Sequence, residues 1–507
     1  MSKHTMRVGH RMKAMDQTAI VCEIPLAADR LLEALLSLDT ARRVSILDSG
    51  GARGDDEARF LIAGFDPFEV IEVWGDDALI TRHDGSLERA VCVDALGVLD
   101  DRLEKYRTPQ TAKTHLPVAG ACIATFSYDL VRRFERLRSP LPHGVKSEPD
   151  AVLAFYDTLV VHDYARSRTE IVSRAGPESV SKFYSALNAA LAGRETYQAN
   201  LLEAGGRSPQ GQTSLSPFDE GSPQATHALS SNFTRDEYIA CVQRIKRHIA
   251  AGDIYQANLT QQLSVALAER TQPEQIFLRL RSSHPASFAA FIRRRLDAVI
   301  SASPERFLRV EVCGTKRRVE AWPIKGTRAR GQSAEEDKRL RAELQRSEKD
   351  RAENVMIVDL LRNDLGRVCE YGSVEVLELF TVQEHPTLFH LVSKVRGRLR
   401  EQVTAGDLLR ASFPCGSVTG APKIRAIEII DEIETAPRGL SMGAIGYFSF
   451  DGRLDLNVAI RTMTVNSTLA RFNVGGGIVA DSDPLLEYEE SLVKARALLN
   501  ALNIGDG

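Results

Sequence analysis

Between residues 203 and 231 the chain reads EAGGRSPQGQTSLSPFDEGSPQATHALSS, rich in glycine, serine, proline and glutamine, with little to bury. Such a stretch reads as a linker or exposed loop. It divides the 507 residues into a region spanning 1–202 and a region spanning 232–507. In the first, ADRLLEALLSL has helical spacing, whereas ARFLIAGFDPFEVIEVW and AVLAFYDTLVVHDYARSRTEIVSR alternate or run apolar like strands. The second opens on TRDEYIACVQRIKRHIAAGD, with Thr234 as N-cap, an acidic residue three places on and a stop at Gly252. Strands and helices then mix to the C-terminus. This pattern predicts a smaller N-terminal region laid on a larger C-terminal catalytic body.

Charge and cysteine usage narrow the class. The formal net charge is −3, so no basic excess is available to track a phosphate backbone, and nucleic acid is not the expected partner. The seven cysteines are scattered and form no CxxC pair, which suits a reducing cytosol and argues against a disulfide framework or a zinc site. The N-terminus carries positive charges without a long apolar core, so it does not read as a signal peptide. No apolar run is long enough to span a bilayer. The expectation is a soluble cytoplasmic protein.

Several stretches could carry chemistry. WPIKGTRARG pins the backbone with a proline and two glycines around Lys325, as in a tight turn. Taken alone, this is a solvated lysine at a turn. SEKDRAENVMIVDLLRNDLG reads as a helix with Asp350 and Glu353 one turn apart, and DPLLEYEESLVKARALLNAL as the last helix with Glu487 and Glu490 spaced alike. Such carboxylate pairs suit a magnesium ion, although each pair alone reads more readily as exposed helix charge. GSVTGAPKIRAIEIIDEIE is a loop feeding a helix, with Thr419 and Gly420 ahead of Pro422, where free N–H groups could meet an anion or form a plain junction. NVGGGIVADSD places Gly475, Gly476 and Gly477 after a strand, where backbone amides can approach a ligand. It matches neither a dinucleotide fingerprint nor a P-loop. Arg461 sits in the otherwise apolar AIRTMTV and calls for a carboxylate, from a ligand or from an internal salt bridge.

The order of these stretches is more specific than any one of them. GDIYQANLTQ, SPERFL, PIKGTR, ENVMIVDLLRNDLGRV, HLVSKVRG, FPCGSVTGAPK, GAIGYFSFDG, AIRTMTV and GGGIVADSDPLLEYEESLVKA follow one another as in the chorismate-utilising enzymes. The chain resembles that family closely over about 232–500, and more loosely upstream through SILDSGGA and ATFSYDLVRRFERL. The resemblance implies the family's α/β (α+β) body, two large β-sheets packed face to face with helices outside. It implies a magnesium ion held by Glu353 and Glu490, with Asp350 and Glu487 in support. The substrate carboxylates of chorismate would meet Thr419, Tyr447, Arg461, Lys494 and the backbone at Gly476 and Gly477. Glu305 matches the acid that protonates the departing C4 hydroxyl, which needs a raised pKa. His390 matches a histidine beside the bound ring.

Two positions sort the branches. Family members that add water carry a lysine in place of Gln256, and glutamine cannot serve as that base. Anthranilate synthases read PIAGTR, whereas PIKGTR resembles the aminodeoxychorismate branch, in which this lysine attacks C2 as a nucleophile. A nucleophile needs position more than reach. The implied reaction turns chorismate and glutamine-derived ammonia into 4-amino-4-deoxychorismate, toward 4-aminobenzoate and folate; the alternative is anthranilate formation. No region resembles a glutamine amidotransferase, so a separate amidotransferase subunit is implied. SILDSGGA resembles the segment at which family members bind tryptophan, with Ser49 at the matching serine.

Overall fold

The computed structural model describes residues 19–50, 59–91, 93–108, 115–138, 148–204, 229–269, 271–384 and 388–504. The N-terminal stretch up to 18 and most of the 203–231 segment, 205–228, lie outside the described residues; 203–204 end a helix, Pro177–Ala204, and 229–231 form a strand.

Two twelve-stranded antiparallel sheets make the body. The first runs Ile20–Ile24, Arg168–Ser173, Thr158–Asp163, Phe60–Gly64, Ser45–Asp48, Phe288–Arg293, Ala298–Ser303, Thr462–Val465, Leu469–Ile478, Gln256–Ala266 and Leu229–Ser231, with Gly420–Ala421 paired on Gln256–Ala266. The second runs Ile324–Ala329, Leu388–Arg398, Lys316–Ala321, Arg306–Cys313, Leu454–Val458, Ala444–Ser449, Ala121–Phe126, Ala151–Tyr156, Glu69–Trp74, Asp77–Arg82 and Leu87–Val91, with Glu375–Glu384 on the free edge of Leu388–Arg398.

Each sheet therefore takes strands from both sides of the sequence break. Ser45–Asp48 pairs with Phe288–Arg293 in one, and Ala121–Phe126 with Ala444–Ser449 in the other. The N-terminal part is not laid on the C-terminal part; the two complete each other's sheets. Ile62, Val161, Ile292 and Val299 of the first sheet meet Val70, Ile123, Val152 and Ile445 of the second in a buried layer between them. The outer face of the first sheet is covered by helices carrying Leu31, Phe183, Phe277 and Leu498, and that of the second by helices carrying Leu99, Leu361 and Leu409. Strands buried on both faces explain why AVLAFY reads as a continuous apolar run.

Four strands and two helices place the candidate site. They are strands β1 (Gln256–Ala266), β2 (Ile324–Ala329), β3 (Leu388–Arg398) and β4 (Leu469–Ile478), and helices α1 (Glu348–Gly366) and α2 (Pro484–Ala501). Ser347 caps α1 by accepting from the Asp350 N–H, and Asp483 caps α2 ahead of Pro484 at its first turn. The helix read from TRDEYIACVQRIKRHIAAGD is Arg235–Ala250, closed by a reciprocal Thr234–Glu237 capping box.

Candidate active site

Lys325 is not at the tip of a turn. It lies in β2, where pairing with β3 runs Ile324↔Val392 and resumes at Thr327↔His390, leaving one extra residue in β2. Such a bulge takes side chains out of the strand's alternation and re-aims them. Gly326 supplies the left-handed φ of 84°. Thus strand pairing on either side of the bulge fixes the lysine. Its Nζ lies 3.9 Å from Glu353 Oε2 on α1 and donates to the Ser417 carbonyl at 3.3 Å.

The glycines read as following a strand are inside β4, opposite Thr260, Leu259 and Asn258 of β1. A Cβ on Gly475 would fall on the Leu259 carbonyl oxygen, and one on Gly477 would strike the Gln256 amide with Lys325 Nζ 3.5 Å away. A Cβ on Gly476 would stand 3.2 Å from Glu487 Oε2 and 3.4 Å from Lys494 Nζ. Side chains alternate along a strand, so β4 presents one glycine to α2 and its neighbour to Lys325. The three positions thus bring β1, β2 and α2 close around one bare length of backbone.

Glu305 immediately precedes the strand Arg306–Cys313. It is buried, and its Oε1 has no hydrogen-bond partner. Burial pushes its carboxyl up to about 7, against the smaller pull of a Ser417 hydrogen bond and the Lys325 charge. Gln256 is fully buried with neither its Oε1 nor its Nε2 satisfied. Unpaired buried polar atoms are costly, and they cluster where a ligand completes them. His390 places Nδ1 2.9 Å from the Thr327 hydroxyl. The Thr419 hydroxyl donates to the Cys415 carbonyl at 2.8 Å, beneath the 3-10 turn Gly416–Val418.

The acidic residues divide. Burial raises the Glu353 carboxyl above its ordinary value despite Lys325 and Lys349, with Asp350 and Glu487 adding to the rise. Glu487 accepts from the Ser482 hydroxyl at 2.6 Å. Glu490 is 2.8 Å from Lys494; burial raises its carboxyl, but Lys494, Lys349 and Lys325 hold it below the ordinary value. Lys494 also donates to the Gly475 carbonyl at 2.9 Å. Asp350 lies one turn before Glu353 on α1. It is taken by Arg328 at 3.1 Å and packs under Gly326, so it braces the bulge.

Among the described residues no three acidic, histidine or cysteine side chains stand close enough to enclose a metal. The donors nevertheless fit a magnesium ion. Glu353 and Glu490 would offer hard carboxylate oxygens from two helices, Asp350 and Glu487 add negative charge around Glu353, and bare Gly476 leaves space beside Glu490. Such an ion takes few protein oxygens and fills its remaining positions with water and substrate.

Three predicted residues sit elsewhere or keep other company. Tyr447 packs on the layer between the sheets, among Asp455, Arg309, Arg453 and Arg306, where burial raises its phenol well above the ordinary value. Arg461 has a left-handed φ of 48°, and burial lowers its pKa. Among the described residues no carboxylate pairs with it, and the titratable group that feels its charge is His284. Ser49 follows the strand Ser45–Asp48, buried, with its hydroxyl unpartnered. Sequence reading missed Ser417, whose carbonyl accepts from Lys325, although it lies within the quoted FPCGSVTGAPK. It also missed Thr327, Arg328 and Ser482, ordinary polar residues that only their contacts single out.

Among the described residues no helix is long and apolar enough to cross a membrane. The family model for chorismate binding enzymes matches residues 49–500. The chain is 36% identical over 445 residues to aminodeoxychorismate synthase component 1 of Escherichia coli (strain K12), covering 88% of this chain and 90% of that one. It is 35% identical over 451 residues to anthranilate synthase component 1 of Acetivibrio thermocellus, covering 89% and 88%. Its fold superposes on the crystal structure of anthranilate synthase component I from Streptococcus pneumoniae TIGR4 with a TM-score of 0.70 at 30% identity, covering 88% of this chain and 93% of that one.

Proposed function

This chain belongs to the chorismate-binding enzymes, and we propose that within that family it aminates chorismate at C4, as component I of an aminodeoxychorismate synthase. Relatives bearing that name and relatives named anthranilate synthase match it about equally well. What supports the choice is Lys325, aimed by its bulge at the bare backbone of Gly477 between Glu353 and Ser417. Anthranilate synthases carry alanine at the matching position.

In this reading the neutral Lys325 amine attacks ring C2. The two ring double bonds shift, and the C4–O bond breaks. Glu305 gives its proton to the departing hydroxyl, which leaves as water, while the amine loses one proton on forming its C–N bond. The proton lost by the lysine passes to solvent. Ammonia then attacks C4 and gives one proton to ionised Glu305, the double bonds shift back, and the lysine leaves C2 as an amine after regaining a proton from solvent. A carboxyl group pushed up to about 7 can hold the proton needed for the first step near neutral pH and take one back in the second. Gln256 offers an amide at the ring without acting as a base, which keeps water from replacing the lysine. Arg461, Thr419 and Lys494 would receive the substrate carboxylates, with His390 beside the ring. Magnesium, when bound through Glu353 and Glu490, would neutralise and orient one substrate carboxylate. The ammonia would come from a separate glutamine amidotransferase subunit, in keeping with the name component 1. Ser49, buried with a free hydroxyl, would mark a tryptophan site in the N-terminal part.

The test is to incubate the protein with chorismate, ammonium and magnesium and identify the product. 4-Amino-4-deoxychorismate is expected. Anthranilate fluorescence would overturn the branch in favour of tryptophan synthesis. With ammonia withheld, intact mass after a rapid quench should show one covalent adduct, mapped to the peptide containing AWPIK and absent from Lys325→Ala. Unimpaired amination by Lys325→Ala would remove the covalent mechanism.

A further inference from the structure

One buried arginine joins the turn that receives Lys325 to the strand that carries Gln256. We propose that Arg438 is a positioning residue, which sets the spacing between the turn Gly416–Val418 and β1 and so fixes where the Lys325 amine stands. The inference rests on the reading of Lys325 as nucleophile.

Arg438 Nη1 donates to the Val418 carbonyl at 2.9 Å, and Nη2 donates to the Asn258 carbonyl of β1. Nε and Nη2 also donate to the two carboxylate oxygens of Glu434, at 2.9 and 2.7 Å. Glu434 Oε1 in turn accepts from the Thr260 N–H at 2.7 Å and from the Thr260 hydroxyl at 3.0 Å, so the pair grips β1 at two residues. Both side chains are buried. A buried pair of this kind is weak evidence for stability, because desolvation offsets much of the attraction. What it supplies is geometry. A planar guanidinium presents its donors in a rigid fork, which holds two carbonyls from separate elements at a set distance. Both ends of that fork lie next to Lys325. Val418 follows Ser417, whose carbonyl accepts from Lys325 Nζ at 3.3 Å. Asn258 lies two residues after Gln256, whose amide lies over Gly477, where a Cβ would stand 3.5 Å from the same Nζ. Misplacing a reacting group by about 1 Å can cost on the order of a hundredfold in rate.

Arg438 is held in its turn by the N-terminal region. Its Cζ lies 4.4 Å from the centroid of the Tyr128 ring. The next residue, Gly439, donates its N–H to Asp129 Oδ2 at 2.9 Å, and its carbonyl accepts from the Tyr128 N–H and the Ser127 hydroxyl, each at 2.8 Å. These three residues are the SYD of ATFSYDLVRRFERL. That segment therefore acts on the nucleophile's surroundings through Arg438.

The experiment reads Lys325 adduct formation separately from chorismate binding, with ammonia withheld, by rapid-quench mass analysis and by titration. Arg438→Lys keeps a charge opposite Glu434 but offers one nitrogen in place of a fork. The double variant Arg438→Met/Glu434→Gln leaves no charge buried alone, and its new amide oxygen can still accept from Thr260. Ser127→Ala is a milder change that leaves the pair intact and loosens Gly439. Thermal melts show which variants fold. Both Arg438 variants should form the adduct about tenfold or more slowly while binding chorismate within about threefold of the wild type. Ser127→Ala should slow the adduct about two- to fivefold. A lowered melt with an unchanged adduct rate in the folded protein would mean a structural role only and would overturn the proposal. So would a loss confined to chorismate affinity. If neither Arg438 variant folds, Ser127→Ala decides, and an unchanged adduct rate there overturns the proposal. Absence of any adduct in the wild type would refute the reading beneath it instead.

Discussion

Glu305 holds its proton more tightly in the folded protein than in the unfolded chain, because burial raises its carboxyl to about 7. The sign of its linkage follows. The favourable contribution is complete below the ordinary carboxylate value and is lost as pH rises through about 7, with an upper bound of ~3 kcal/mol. Glu305→Gln removes that loss, so urea denaturation at pH 8.5 should show the variant more stable than wild type by ~1–3 kcal/mol, with the difference shrinking at pH 5. The same substitution should cost on the order of 10²–10⁴ in turnover, since the amide has no proton to give. A wild type whose stability did not fall relative to the variant between those pH values would contradict the buried, protonated acid. For the metal, Glu353→Gln and Glu490→Gln should each lower turnover by orders of magnitude while leaving the melt nearly unchanged. Normal rates at ordinary magnesium would show that these are not the ligands. The sequence named these residues through motif order. Their charge states were illegible in it, because burial and neighbours set them.

At the scale of elements, the glycines of β4 show how similar letters can do different work. Gly475 lies against the Leu259 backbone, whereas a Cβ on Gly476 would meet the ends of the Glu487, Lys494 and Glu490 side chains. Gly475→Ala must push β1 and β4 apart and should destabilise by roughly 1–3 kcal/mol. Gly476→Ala should melt near the wild type but bind chorismate and magnesium more weakly, because it fills the space between α2 and the substrate. Calorimetric unfolding together with ligand titration separates the two; equal melts for both variants would refute the assigned packing. The helices were readable from spacing and caps, since an N-cap Thr or Asp is a local signal. The bulge at Lys325 was not. PIKGTR has turn residues, and only pairing with β3 makes it an edge strand.

At the scale of the molecule, both sheets are completed by strands from either side of the 203–231 segment. A fragment of 232–507 alone would leave Phe288–Arg293 and Ala444–Ser449 each with one edge unpaired and expose the layer between the sheets. It should fail to give a cooperative melt when expressed by itself. A protease site placed within 205–228 of the full chain should give two pieces that stay associated and active after cleavage. Fragments that separated on a sizing column without denaturant would show two independent domains instead.

The family and the helices with their caps were legible in the sequence, which also singled out the candidate acid, nucleophile and carboxylates, because these rest on local periodicity and on motifs kept in order. Tertiary structure alone decided that the two regions share both sheets, since strand pairing across more than two hundred residues leaves no local trace. It decided, too, that Asp350 braces a bulge through Arg328, that β4 glycines admit α2 and Lys325 to one place, and that the Ser417 carbonyl receives the Lys325 amine. A side chain's role depends on what surrounds it, and those surroundings come from residues distant in the chain.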